Sequence, residues 1–263
     1  MGTIYKHELK YSIKTLFLWF ICAGGMGFAC ILLFSSMKES MEDAAKSFAS
    51  MGAFSDAFGM SQLSIATLPG FYATEVGTIH TLASAMFAAI ISTAMLSKEE
   101  DGHTSEFLFS LPISRSKVVI AKWCATATLT CSFQVLCLLL YLLGIFILGD
   151  EMPMDKFFQF HALQLLMSLE LSAICYGLSA IMKKNKIGLG LGIVLFFYAC
   201  DLIVRVVPDL SDGKFLSPFS YANPSDIFST GNIDQAALFF GTAVLILGII
   251  TSYTVYTRRD LAV

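Results

Sequence analysis

The chain has 263 residues, of which 56% are hydrophobic and 14% charged, with a formal net charge of −3 and a mean hydropathy of +0.71. Soluble domains carry roughly 25% charged residues. The composition therefore excludes an ordinary soluble enzyme or a basic nucleic-acid-binding domain and places the chain in a bilayer.

At the N-terminus, residues 2–14 set Tyr5, Leu9, Ile13 and Leu16 on one helical face and Lys6, Lys10 and Lys14 on another. This pattern predicts an interfacial helix leading into the first span; the alternative is a simple cytoplasmic extension of that span. Residues 15–37 then carry no Asp, Glu, Lys or Arg. That run exceeds the apolar region of a signal peptide, and no small-x-small cleavage site follows it, so it reads as an anchor. The first outer loop, about 37–75, places Met41, Ala45, Phe48 and Met51 at helical spacing, which predicts a short helix on the outer surface.

Further along, residues 76–97, 123–149 and 235–257 are uncharged, 157–182 hold only Glu170, and 187–208 hold only Asp201 and Arg205. A membrane-spanning helix needs about 20 apolar residues. The fold class is thus an all-α integral membrane protein: one transmembrane domain of six spans, near 16–36, 76–97, 123–148, 160–182, 187–207 and 235–257. KKNK at 183–186 is a tight inner turn. The last outer loop, about 208–234, contains Pro208, Gly213, Pro218 and Pro224, with Asn223 placed to cap a helix that starts at Pro224.

With the N-terminus inside, twelve Lys and Arg lie on inner segments and five on outer ones. The excess sets both termini in the cytoplasm and the chain in the plasma membrane. All seven cysteines fall in predicted spans, which speaks against a disulfide framework.

Ionisable groups inside spans are costly in lipid, so they face protein or water. Glu170 reads either as lining a translocation path or as a polar clamp between helices. Asp201 and Arg205, four apart, can pair along their own helix. His80 and His161 lie near span starts on the outer side and read as interfacial rather than as metal ligands. Gly188 and Gly192, and more loosely Ala23 and Gly27, permit close helix approach.

One segment breaks the apolar pattern most abruptly, SKEEDGHTSEFLFSLPISRSK at 97–117. Gly102 can end a helix; Thr104 can cap a new one with Glu106 in its first turn. Phe107, Leu108 and Leu111 then share a face, Pro112 stops the helix, and Ser114 can cap the next, which starts with Arg115. A short helix with an apolar face suits docking into a partner's groove or resting on the inner leaflet.

This block resembles the loop between the second and third spans of ABC-2 type transporter permeases. Their pattern of an acid, Gly-Thr-x-Glu, a Leu-rich run and Leu-Pro-x-Ser-Arg corresponds to Glu99 or Glu100, Gly102, Thr104, Glu106, Phe107 to Leu111, Pro112, Ser114 and Arg115. His103 departs from it by inserting a residue between Gly and Thr. LSPFSYANPSDIF from Leu216 and RRDL from Arg258 resemble two further family segments. The resemblance implies a permease that pairs with a second copy or a related permease and binds two ATP-binding-cassette ATPase subunits. The loop would be a coupling helix, and ATP and Mg2+ would sit on the partner. The chain itself has no G-x-x-x-x-G-K-[ST] phosphate loop, so it is not expected to be an enzyme.

The function this implies is export of a hydrophobic or amphipathic cargo such as a peptide, antimicrobial or toxin, as in drug resistance. One alternative is an ATP-independent ion- or proton-coupled transporter using Glu170 and Asp201. Another is an intramembrane protease built on Glu99, Glu100 and His103, which lie in a soluble loop away from His80 and His161.

Overall fold

The computed structural model describes residues 1–49, 52, 55, 63–110 and 112–259. Six of its helices are long and apolar enough to cross a membrane: Gly2–Lys38, Leu68–Ala94, Arg115–Leu148, Met154–Ile181, Ile187–Val206 and Gln235–Arg258. They match the six predicted spans in number and order. Differences lie at the ends, where charged or special residues interrupt the apolar runs.

The first span's helix starts at Gly2, passes through a π turn at Phe20–Gly24 and continues from Gly25 to Ala49. Residues 2–14 are therefore continuous with the span. Their buried face is Ile4, Glu8, Ser12 and Leu16, every fourth residue, while Ile13 is exposed. Of the face drawn from Tyr5, Leu9, Ile13 and Leu16, Leu16 is buried and Tyr5 and Leu9 half-buried; the buried row shifts by one residue because the facing surface offers a charge to Glu8, as shown below. The predicted surface helix near 41–51 is also part of this first helix up to Ala49; Met51 lies outside the described residues.

The second span begins at Leu68, earlier than the charge pattern suggests. Thr67 caps it, accepting a hydrogen bond from the Gly70 N–H, and Pro69 sits in the first turn, where its missing N–H costs nothing. Exposed Glu75 interrupts the uncharged run without interrupting the helix, which takes a π turn at Tyr72–Gly77. The third span ends at Gly149, whose φ of 75° suits a left-handed cap.

Spans two and four form the centre. In each, 67% of the most apolar stretch is buried, against 17% in spans five and six. Span four lies along spans two and six, span three along span one, and span five along span two.

This centre is polar. Span three buries Lys122, Thr126, Thr130 and Gln134, again every fourth residue, and span four buries His161, Gln164, Ser168 and Ser172. Gln134 donates to the Ser168 hydroxyl at 2.9 Å and accepts from His80 Nε2 at 2.7 Å. Gln164 donates to Thr81 Oγ1 at 2.8 Å and to the Ala222 carbonyl at 2.7 Å. Between helices in lipid, such bonds and close packing of small residues supply the cohesion that hydrophobic burial supplies in water. His80 and His161 belong to this column and are not interfacial. Both are buried, their rings 5.1 Å apart, and Tyr72 shares a 2.9 Å hydrogen bond with His161 Nε2. They lie where spans two and four face each other, so depth along the helix alone misplaces them.

Close approach falls at Gly27 of the looser pair, where a Cβ would lie 2.7 Å from the Tyr141 ring, but not at Gly188 and Gly192. A Cβ at Gly188 or Gly192 would meet nothing within 4 Å, whereas one at Gly248 would lie 2.9 Å from the Ala173 carbonyl oxygen and 3.0 Å from its carbon. Backbone cannot yield as a side chain does. Gly248→Ala is expected to lower stability by about 1–3 kcal/mol through overpacking. Gly192→Ala should be neutral or gain up to about 1 kcal/mol from helix propensity. Thermal unfolding of the two purified variants in one detergent checks this ordering.

Candidate functional site

The polar block at 97–117 folds as its residues suggest. A helical turn at Lys98–Asp101 ends at Gly102, a second helix covers Ser105–Ser110, and Ser114 precedes the third span's helix at Arg115. The inserted His103 carries the left-handed conformation, with φ of 52°. Thr104 stands where a cap should, its carbonyl accepting from the Leu108 N–H, while its hydroxyl turns back to the Glu99 carbonyl at 3.4 Å. Leu108 packs against Ile4, Val118 and Ala121 of the chain itself. The side chain of Phe107 and the whole of Leu111 lie outside the described residues. Thr104, Glu106 and Pro112 are exposed.

Beneath this loop is a charged quartet. Lys122 is fully buried. Its Nζ bonds the Met95 carbonyl at 2.6 Å, Glu8 at 2.9 Å and Glu99. Glu8, also buried, holds Lys98 as well, and the Lys98 ammonium sits 4.3 Å from the Tyr11 ring centre. Burial, with Lys122 nearby, pulls Lys98 below the usual lysine range, and Glu8 offsets part of that. The quartet joins the N-terminal helix, the loop and the third span. It also lines a cavity of about 580 Å³ with Thr3, His7, Tyr11 and Leu108.

A second tie holds the loop from the other side. Glu100 pairs with Arg259, which also donates to the Met182 carbonyl at the end of span four at 3.1 Å. Arg115 donates to the Arg259 carbonyl. The Ser179 hydroxyl accepts from the N–H groups of Leu96 and Ser97 at 2.9 and 3.1 Å. Glu99 and Glu100 thus engage cations within the chain, which leaves Glu106 as the exposed acid of the short helix. Sequence reasoning passed over Glu8 and Lys122. Their signal was a lone acid among lysines and a lone cation a few residues inside an apolar helix.

At the other end, the last outer segment folds back into the bundle. Residues 217–222 are buried, and the Tyr221 hydroxyl donates to Glu170 at 2.7 Å. Gly241 of span six leaves room for that carboxylate. Asn223 caps Pro224–Ser229 as predicted, accepting from the Ser225 and Asp226 N–H groups. Arg205 pairs with Asp201 at 2.8 Å and reaches Asp226 at 3.1 Å; Lys214 also contacts Asp226, at 3.0 Å. The pair foreseen within one helix is therefore part of a four-member network that fastens this segment to span five. Beside it, an apolar groove of about 540 Å³ opens between spans five and six, lined by Phe196, Phe197, Val204, Leu216 and Phe240 with Lys214. Among the described residues, no three His, Cys, Asp or Glu side chains group closely enough to hold a metal ion.

A sequence model described as ABC-2 family transporter protein matches residues 2–261. No curated protein matches the chain.

The quartet generates a stability prediction. Lys122→Met takes the shared cation from buried Glu8, leaving it Lys98 alone, and from half-buried Glu99, and should cost about 3–5 kcal/mol. Neutralising the acids as well, in Glu8→Gln/Lys122→Met/Glu99→Gln, should recover much of the loss. Thermal unfolding and detergent-extracted yield report both; a Lys122→Met variant as stable as the parent would show that the quartet does not brace the fold.

Proposed function

The chain belongs to the ABC-2 family of transporter proteins and is a multi-pass membrane permease of that type, and from this premise we propose that it is the membrane subunit of an ATP-driven exporter. In this reading two permease chains, identical or related, bind two ATPase subunits, and ATP and Mg2+ act on those partners. The 97–117 loop is the handle the ATPases move. The observation that carries this role is the double tie of the turn Lys98–Asp101: Glu99 fixes it to spans one and three and Glu100 to Arg259 and the end of span four, while the short helix Ser105–Ser110 that follows packs through Leu108 on Ile4, Val118 and Ala121. A push on that helix reaches four of the six spans without passing through a slack linker. Glu106 and Phe107 are the residues assigned to contact with the ATPase.

Both termini and the loop are cytoplasmic in this reading, consistent with the Lys and Arg excess on their side. The cargo is hydrophobic or amphipathic, a peptide or antimicrobial compound. The apolar groove between spans five and six supports that class, with Lys214 at its edge and Phe side chains along its wall. Glu170 serves as a clamp tying spans four and six to the inturned outer segment.

Two experiments test the reading. In a cysteine-free background, Glu151→Cys and Asn232→Cys should react with an impermeant thiol reagent from outside intact cells, and Lys184→Cys only after permeabilisation; the reverse pattern would overturn the orientation. Separately, a burial-dependent aromatic anchor is worth about 2 kcal/mol or more at an interface, a rim charge less. Phe107→Asp should therefore strip the ATPase from the tagged permease during purification, while Glu106→Gln retains it with weaker coupling of ATP hydrolysis to transport. Stoichiometric ATPase on the Phe107→Asp permease would sink the docking role.

A further inference from the structure

The N-terminal helix turns its acid inward and its lysines outward. Glu8 is buried against Lys122 and Lys98, while Lys6, Lys10 and Lys14 are exposed on the opposite face. Around the whole N-terminal side of the bundle, eight exposed Lys and Arg face two exposed acids, Asp101 and Glu106, among the described residues. Folding thus converts a mixed set of charges into a cationic rim.

The lysine face continues directly into the apolar surface of the first span. Below Lys10 and Lys14 on the same side come Leu18 and Ile21, 62% and 65% exposed, with Tyr11 beside them at 68%. The uncharged run 15–37 is about 34 Å long at 1.5 Å per residue, close to the roughly 30 Å of bilayer hydrocarbon. Lys14 then stands at the hydrocarbon edge, with Lys10 about 6 Å and Lys6 about 12 Å beyond it. The headgroup layer is only about 5–8 Å thick on each side. Lys10 and Lys14 consequently lie inside it, and the Lys6 backbone about 4 Å or more beyond it, near enough for the long side chain to reach back.

We propose that Lys6, Lys10 and Lys14 form a binding stripe for anionic phospholipid, with the lipid phosphates on the lysines and the acyl chains along Leu18 and Ile21. The depth of Lys10 and Lys14 and the unbroken apolar face below them select lipid over an acidic surface of a soluble partner. The stripe sits in the inner leaflet if the orientation proposed above holds; the lipid chemistry does not depend on exporter activity.

The test uses the full chain in nanodiscs of equimolar phosphatidylglycerol and phosphatidylcholine, followed by native mass spectrometry of the lipids retained. The parent should retain phosphatidylglycerol in excess. A lysine near an anionic surface contributes enough to change its local enrichment roughly fivefold, so Lys6→Gln/Lys10→Gln/Lys14→Gln should cut the excess several-fold although five exposed cations of the rim remain, and the matching triple Arg variant should keep it. Unfolding temperatures of the three proteins should coincide, since the stripe faces away from the bundle. An undiminished phosphatidylglycerol excess in the Gln variant would overturn the proposal. Loss of ATPase binding with lipid retention unchanged would also overturn it and assign the stripe to the protein partner.

Discussion

A fully buried lysine holds this protein's working end together. An ammonium taken out of water is costly unless charges and dipoles of opposite sign surround it, and Lys122 has a carbonyl and two carboxylates around it. Each comes from a different part of the chain: Met95 from the end of span two, Glu8 from the N-terminal helix, Glu99 from the loop. None of these segments can move far without exposing an uncompensated charge. The quartet therefore defines the loop's position against the bundle and makes the loop, the N-terminal helix and span three one body. Arg259 does the same on the side of span four.

The same principle recurs through the bundle. Lipid offers hydrocarbon no reason to prefer protein, so the spans bind one another through what lipid cannot supply. Gln134 both donates and accepts across helices, and Gln164 donates to Thr81 and to the Ala222 carbonyl. Glu170 reaches the inturned segment through Tyr221, and Arg205 reaches it through Asp226. Apolar side chains line much of the outside, as Phe146, Phe196 and Phe239 do.

This inversion explains what could be read in the sequence. The spans were legible because intramembrane charges are rare, so their absence over some 20 residues is a strong signal. The helix start at Asn223 was legible because capping is local chemistry; Ser114 stands at a helix start without a side-chain cap bond. Faces were not. Apolar spacing alone groups Tyr5, Leu9, Ile13 and Leu16 on one face, whereas the buried row is Ile4, Glu8, Ser12 and Leu16, with Tyr5 and Leu9 half-buried beside it and Ile13 exposed. His80 and His161 were misplaced because nearness to a span start gives depth and not facing. Asp226 and Lys214 lie 21 and 9 residues from Arg205, beyond any helical spacing, so only the tertiary fold could add them to its pair with Asp201.

The polar centre also bears on how the chain is made. Spans two and four are the least apolar of the six and the most completely enclosed. Span two emerges from the ribosome before the neighbour that satisfies His80, which precedes Gln134 by 54 residues; in span four the partners Tyr72, Thr81 and Gln134 are already made, but Gln164 still precedes the Ala222 carbonyl by 58. Alone in hydrocarbon, such a helix carries unpaired amides and imidazoles, which lipid cannot solvate. Synthesis thus favours handing these helices to the membrane with an adjoining span, so that a hairpin and not a single helix is the unit of insertion. The fold that makes a stable permease makes its own biogenesis a cooperative event.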